Sequence, residues 1–276
     1  MTQAHLLDLG VRPYREVWEL QHRLHAAVRE GREPDTWIVV EHPPVITLGR
    51  NAQVSNVLAS PEFLSQRGVE VFDIDRGGDV TFHGPGQLVA YPIFDLRSFE
   101  PRIGAVEFVR RLEEVLIRTC GDFGIGAQRI KGLTGVWTYA LPNEPEGKIA
   151  AIGVHISRGV TTHGLALNVS TDLEFFDLIV PCGITNKPVT SMEWELQKQI
   201  SVQEVATATS RNFGRVFGSQ ILWLELLDDL LAQAASTAKS RAALDSESHQ
   251  SPANQDTPAQ TPKPLRDLHS DGSELA

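Results

Sequence analysis

Cys182 stands in Ile179-Val180-Pro181-Cys182-Gly183-Ile184, between a proline and a glycine. That setting puts a thiol on a turn rather than in the middle of a core element and favours its exposure. A thiolate is a strong nucleophile, and a lysine nearby lowers the pKa of a thiol. By itself the Pro-Cys-Gly setting fits a structural cysteine as well as a reactive one. Cys120, the other cysteine, follows Val106, Val109, Leu112, Val115 and Leu116 at helical spacing and reads as a small core hydrophobe. Lys148 opens the apolar, small-residue run Gly147-Lys148-Ile149-Ala150-Ala151-Ile152-Gly153. A lysine there can lay its stem on a sheet and carry its ammonium into a pocket, although most lysines are solvated. The small residues beside it leave room for a ligand chain.

Two further segments are dense in residues that build sites. Arg76-Gly77-Gly78-Asp79-Val80-Thr81-Phe82-His83-Gly84-Pro85-Gly86-Gln87 holds five glycines and prolines in twelve positions. It reads as a loop whose backbone N–H groups approach a ligand closely. It matches neither the phosphate-binding G-x-x-x-x-G-K-[ST] nor G-x-G-x-x-G. In Thr162-His163-Gly164-Leu165-Ala166-Leu167-Asn168-Val169, His163 begins an apolar strand and Gly164 marks a bulge or a close ligand approach. A lone histidine is more often structural. Nine histidines invite a metal reading, but neither H-E-x-x-H nor C-x-x-C occurs, so no metal or cofactor is expected.

The elements that must position these residues alternate. Val17, Leu20, Leu24 and Val28 give an amphipathic helix over Tyr14 to Arg29. Strands are expected over Trp37 to Val40, Val45 to Leu48, Val69 to Ile74 and Leu88 to Phe94, then a long helix ending near Cys120 and Gly121. Gly135 to Thr138, Ile149 to Ser157 and Thr161 to Val169 read as strands, the last two joined as a hairpin at Arg158-Gly159. Ser201 and Glu204 form a capping-box pattern before a helix towards Phe217, and Trp223 to Leu231 reads as a final apolar helix. Without regular βαβ alternation, this is an α+β fold, a mixed β-sheet with surrounding helices.

Composition bounds the function. The 276 residues are 41% hydrophobic and 22% charged, enough to bury a sizeable core. No run approaches the roughly 20 apolar residues of a membrane span, and Met1 to Leu9 lacks a secretory pattern; a cytoplasmic protein without a membrane partner is expected. The net charge of −10 argues against nucleic acid as partner. Two cysteines rule out a disulfide framework. Residues 236–276 have no aromatic residue and no Ile, Val or Met, too little apolar surface to offset ordering entropy. The expected organisation is a catalytic domain over 1–235 and a disordered tail over 236–276.

Together the four segments, with Glu41-His42-Pro43-Pro44-Val45-Ile46-Thr47-Leu48-Gly49 upstream, resemble the lipoyl(octanoyl) transferase family. The resemblance runs from about Leu7 to Leu231 and implies the fold of the lipoate and biotin protein ligase catalytic domains, with a deep acyl tunnel. It implies that Cys182 is the acyl-thioester nucleophile and that Lys148 lowers its pKa and handles protons. It maps substrate binding onto Arg76, Gly77, Gly78, Asp79, Val80, Thr81, Phe82 and His83, onto Ala151, Ile152 and Gly153, and onto Gly164, Leu165 and Ala166. The implied donor is octanoyl-acyl carrier protein. The implied acceptors are lysines on lipoyl domains of 2-oxoacid dehydrogenase complexes and on the glycine-cleavage H protein. Phe82, Leu165 and Leu167 are expected to line the tunnel, with His83 and His163 shaping it. Two rivals stay open: an ATP-dependent lipoate or biotin ligase on the same fold, and a catalytically silent lipoyl-domain-binding or carrier-protein-binding module.

Overall fold

The computed structural model describes residues 2–140, 145–181 and 187–223. Cys182 and the segment 236–276 lie outside the described residues.

The apolar alternation of the chain is spent on one large mixed sheet and one small one. The large sheet has eight strands in the order β11-β1-β2-β6-β10-β9-β8-β7. These are β1 (Thr2–Val11), β2 (Thr36–Glu41), β6 (Gln87–Ile93), β7 (Ala127–Ile130), β8 (Leu133–Thr138), β9 (Lys148–Ser157), β10 (Val160–Asn168) and β11 (Ser219–Trp223). Only the β11-β1-β2 edge is parallel; from β2 through β7 every neighbour is antiparallel. The small sheet, β4-β3-β5, joins β3 (Val45–Leu48) to β4 (Glu70–Asp73) and β5 (Val80–His83).

Helices α3 (Ala105–Asp122) and α5 (Val202–Phe217) pack together on the large sheet. Their apolar stripes and the strand residues between them form the main core, where Trp37 stacks on Phe213 at 4.1 Å and gives its indole N–H to Ser210 Oγ at 3.1 Å. Cys120 is fully buried in this core, and burial pushes its thiol up to about 12, so it is not ionised at neutral pH. Helix α1 (Tyr14–Arg29) lies against β10 and β6. With the small sheet it bounds the space where the glycine-rich residues gather. Two short α-helices, α2 (Pro61–Gln66) and α4 (Met192–Leu196), and three 3-10 turns at Val54–Asn56, Leu96–Ser98 and Leu173–Leu178 complete the described chain.

The helix over Tyr14–Arg29 and the hairpin at Arg158-Gly159 match their sequence patterns; φ is +52° at Arg158 and +88° at Gly159, as a tight two-residue turn requires. Other expectations need correction. The apolar run at Trp223 does not start a helix: α5 stops at Gly218 in the left-handed conformation, and Ser219–Trp223 then pairs in parallel with Thr2–Leu6. The remainder of that run, 224–231, lies outside the described residues. Ser201 is the N-cap of α5, but its side chain makes no capping bond. The segment 76–87 is not one loop, because Val80–His83 forms β5 against β3. His163 does not begin a strand but sits inside β10, and does so with φ +56°. Strands β1 and β7 had no distinct periodic signal.

Asp35, just before β2, joins β2 to the end of β6 by accepting the Asp95 amide at 2.8 Å. Burial, assisted by the Asp95 carboxylate, pushes its carboxyl up to about 7 against the amide's opposing pull. The folded chain therefore binds this proton more tightly than the unfolded chain, and stability falls as pH rises from about 4 to about 7. Asp35→Asn keeps the acceptor and removes the charge. Its melting temperature should exceed wild type at pH 8 and match it near pH 4; an equal offset at both values would contradict the assignment.

Candidate active site

The site is built where α1, the small sheet and one face of the large sheet meet. Strands β9 and β10 face each other in the register Ala151↔Ala166, Gly153↔Gly164 and His163↔Val154. On the other side of β10, Ala166 pairs with Val89 of β6. Small side chains at 151, 153, 164 and 166 leave a trough in the sheet. The Arg76–Gly78 turn covers one end of it: Gly77 N–H donates to Val154 O at 3.1 Å, and a Cβ on Gly153 would lie 2.8 Å from Gly77 O. Glycine at 153 is thus required by the backbone resting on it.

Under that cover is a cavity of about 50 Å³, bounded by Tyr14, Arg76, Thr81, Tyr91, the Ala151–Gly153 stretch and the His163–Ala166 stretch. A second cavity of about 20 Å³ continues from it, sharing Thr81, Ala151 and Ala166 and reaching Gln87, Asn168, Lys148 and Pro181. The two adjoin across these shared residues and are mostly apolar; together they are termed the channel. Of the residues mapped by resemblance, Arg76, Gly77, Gly78, Thr81, His83, Ala151, Ile152, Gly153, Gly164, Leu165 and Ala166 line its first cavity.

Three mapped residues stand aside. Asp79 accepts Asn56 Nδ2 at 2.6 Å and the Gln53 and Val80 amides, which fixes the turn. Val80 and Phe82 face a separate apolar cluster, where Phe82 stacks on Phe175 at 4.8 Å. Leu167 points into the main core, away from the channel, because it alternates with Ala166 along β10. The expected tunnel lining by Phe82 and Leu167 is therefore replaced by Val89, Tyr91 and Tyr14.

Polar groups along the channel are tied in place. Arg76 lies 7% exposed and donates through Nε and Nη2 to Thr47, with Nη2 to the Thr47 carbonyl at 2.7 Å. His83 donates from Nδ1 to Gln87 Oε1 at 2.7 Å; burial and the neighbouring His42 hold its pKa down at about 3, so it is neutral. Gln87 passes its own amide to Phe82 O and Asn168 Oδ1, and Asn168 donates to Thr190 O. Tyr91 donates its hydroxyl to His42 Nε2 at 2.8 Å, and His42 in turn donates to Arg12 O; burial lowers the His42 pKa to about 4. These networks keep the two histidines neutral and the walls rigid, with the Arg76 guanidinium held in place by Thr47.

Lys148, at the start of β9, is 7% exposed and ends 5.3 Å from the ring centre of Trp137. Its stem passes Gly135, where a Cβ would meet Lys148 Cε at 2.9 Å. Gly135 is held by its N–H to Glu113 Oε1 at 3.2 Å, and the buried Glu113 is paired with Arg110 and Arg129. The strand before Lys148 is therefore anchored to α3. Pro181 lines the same cavity as Lys148. The residue after it, Cys182, is outside the described residues.

Sequence reasoning missed Tyr14, Tyr91, Asp75 and Val89. Tyr14 and Tyr91 belong to apolar periodic runs and carry no sign that their rings face a cavity. Asp75, next to Arg76, accepts His163 Nε2–H at 2.8 Å; only the fold brings 75 to 163. Among the described residues no cluster could hold a metal ion, and no helix is long and apolar enough to cross a membrane.

Comparison with known proteins agrees with this layout. The model of the lipoyl protein ligase A/B catalytic domain matches residues 13–214. A protein of Koribacter versatilis named octanoyltransferase is 55% identical over 98% of this chain and 98% of its own length, so the match runs into the segment past residue 235. An octanoyltransferase of Acidobacterium capsulatum is 56% identical over 85% of this chain and 98% of its own. Among solved structures, the bipartite lipoate protein ligase of Thermoplasma acidophilum superposes with a TM-score of 0.64 at 17% identity, covering 85% of this chain and 92% of the other. At that identity the likeness speaks for the fold, which is the α+β architecture described above. The chain belongs to the lipoyl protein ligase A/B catalytic domain family.

Proposed function

We propose that this chain is an octanoyltransferase of protein lipoylation. It would take the acyl group from octanoyl-acyl carrier protein, hold it on Cys182 and pass it to a lysine of a lipoyl domain. The reading rests on one observation above the others: a buried lysine and the residue preceding Cys182 line one small cavity, and that cavity shares Thr81, Ala151 and Ala166 with the glycine-lined one. The names of the relatives at 50–56% identity point the same way.

In the first half-reaction the Lys148 ammonium stabilises the Cys182 thiolate. The sulfur attacks the donor thioester carbonyl, and backbone N–H groups beside it hold the oxyanion. The carrier's thiolate leaves and takes a proton. One thioester replaces another, so no ATP is required. In the second half-reaction neutral Lys148 takes a proton from the incoming amine, which attacks the acyl-Cys182 carbonyl and expels the Cys182 thiolate. The amide is more stable than the thioester and pulls transfer forward. The channel holds the chain, and each buried CH₂ contributes about 0.8 kcal/mol. We read the catalytic unit as 1–235 and the remainder as a tail. Several octanoyltransferases are matched over 92% or more of their length by 210–242 residues.

The distinguishing experiment against an ATP-dependent ligase omits nucleotide. Mixed with octanoyl-loaded carrier protein and an apo lipoyl domain alone, the chain should add one octanoyl group to the domain. Transfer only with ATP and free octanoate would install the ligase reading instead. No transfer under either condition would favour a binding module.

A further inference from the structure

Lys148 sits at a distortion of the large sheet. Strands β8 and β9 pair at Val136↔Ala150 and next at Trp137↔Lys148, so Ile149 is an extra residue on β9. A bulge of this kind re-aims the side chains beside it. The Lys148 backbone is tied on its other side, its N–H to Pro188 O at 2.8 Å and its carbonyl to the Thr190 amide at 3.0 Å. The course of its stem is bordered by Gly135, whose φ of +121° is rare for a residue with a Cβ. A Cβ there would lie 2.6 Å from Ala150 O and 2.9 Å from Lys148 Cε. The side chain that Gly135 lacks is thus the room through which the lysine runs towards Trp137.

One side chain holds Gly135 in turn. The buried Gly135 N–H donates to Glu113 Oε1 at 3.2 Å. Glu113 Oε2 accepts Arg110 Nη1 at 2.7 Å and Arg129 Nε at 3.1 Å, so a fully buried carboxyl joins α3, β7 and β8 at one point. A buried ion pair adds little stability over apolar packing of the same volume. Its contact with the glycine bordering Lys148 gives it a use beyond stability. Glu113 itself borders neither cavity of the channel and acts through Gly135.

Resting on the acyl-transfer reading above, we propose that Glu113 is a positioning residue for the reaction: by holding the Gly135 amide it keeps the β8–β9 bulge in place, and with it the position from which the Lys148 ammonium serves both half-reactions. Without that acceptor a buried N–H loses its partner and the strand relaxes towards another. The end of the lysine then shifts, and a displacement of about 1 Å in a catalytic group costs about 10²-fold.

Glu113→Met tests this. It removes the acceptor, keeps the volume and suits a helix, while Arg129 keeps its pair with Glu114 at 2.9 Å. In a Cys120→Ala background the pH midpoint of iodoacetamide alkylation at Cys182 should rise by at least about half a unit. Discharge of the octanoyl-enzyme onto a lipoyl domain should slow at least about tenfold, with KM for the domain within about twofold of wild type. Added to Lys148→Met, the same change should move neither quantity further, because the group it places is gone. Glu113→Asp keeps the charge and withdraws the acceptor by one methylene; it should act in the same direction and carries the test if Glu113→Met does not fold. A folded variant that melts lower with midpoint and discharge unmoved, or shifts of equal size with and without Lys148, would overturn the positioning role alone. A midpoint that Lys148→Met leaves unchanged would overturn the lysine–cysteine pairing of the acyl-transfer reading, and the proposal with it.

Discussion

Cys182→Ala, incubated with octanoyl-loaded carrier protein, should show no mass gain, while Cys120→Ala should acquire one octanoyl group as wild type does. The contrast follows from the burial of one sulfur and from the sequence setting of the other. Cys120 is fully buried between α3 and the sheet, and its thiol is pushed up to about 12 by that burial, so it offers neither access nor thiolate. Cys182 follows Pro181 on the wall of the Lys148 cavity. Losing the nucleophile removes the covalent route altogether, and turnover should fall by about 10³-fold or more, in line with the loss of a nucleophile in other acyl-transfer sites. Cys120→Ala removes one buried sulfur and should lower the melting temperature without changing acylation. A covalent adduct persisting in Cys182→Ala would place the nucleophile elsewhere.

Lys148→Met should be the second most damaging change. Methionine keeps most of the volume beside Trp137 and Gly135, so the fold should persist. The charge that favours the thiolate and the base that serves the acceptor amine are both lost. General acid–base groups contribute about 10²–10⁴-fold, and both half-reactions should slow within that range. Lys148→Arg separates the roles: the guanidinium still favours a thiolate but does not take a proton at neutral pH. Single-turnover measurements should then show acyl-enzyme forming and persisting, with its discharge onto the lipoyl domain the slower step. Equal impairment of both halves in Lys148→Arg would assign the lysine a purely positional role.

Much of this site was legible because its chemistry depends on residue types that stand out. Small residues at 151, 153, 164 and 166 and glycines at 77 and 78 were visible as room for a ligand, and they do converge on one cavity. The helix Tyr14–Arg29 and the β9–β10 hairpin were visible because periodicity and a turn signal agreed. What stayed hidden was decided by tertiary pairing. Trp223 opens a run whose apolar density suits either a buried helix or a strand, and pairing with β1 puts Trp223 itself at the end of a strand. Phe82 and Thr81 are adjacent in sequence, yet the pleat of β5 sends Phe82 to the outer cluster and Thr81 to the channel. Asp75 has no pattern of its own and matters through a histidine 88 positions away.

The claim on which all else depends is the nearness of the Lys148 ammonium to the Cys182 sulfur. It is read most directly from the pH dependence of iodoacetamide alkylation in Cys120→Ala, where Cys182 is the sole thiol. The half-maximal rate should fall at least about one pH unit below the ordinary thiol value of roughly 8.5, and adding Lys148→Met should return it to that value or higher. A midpoint at the ordinary value, unchanged by Lys148→Met, would contradict the account.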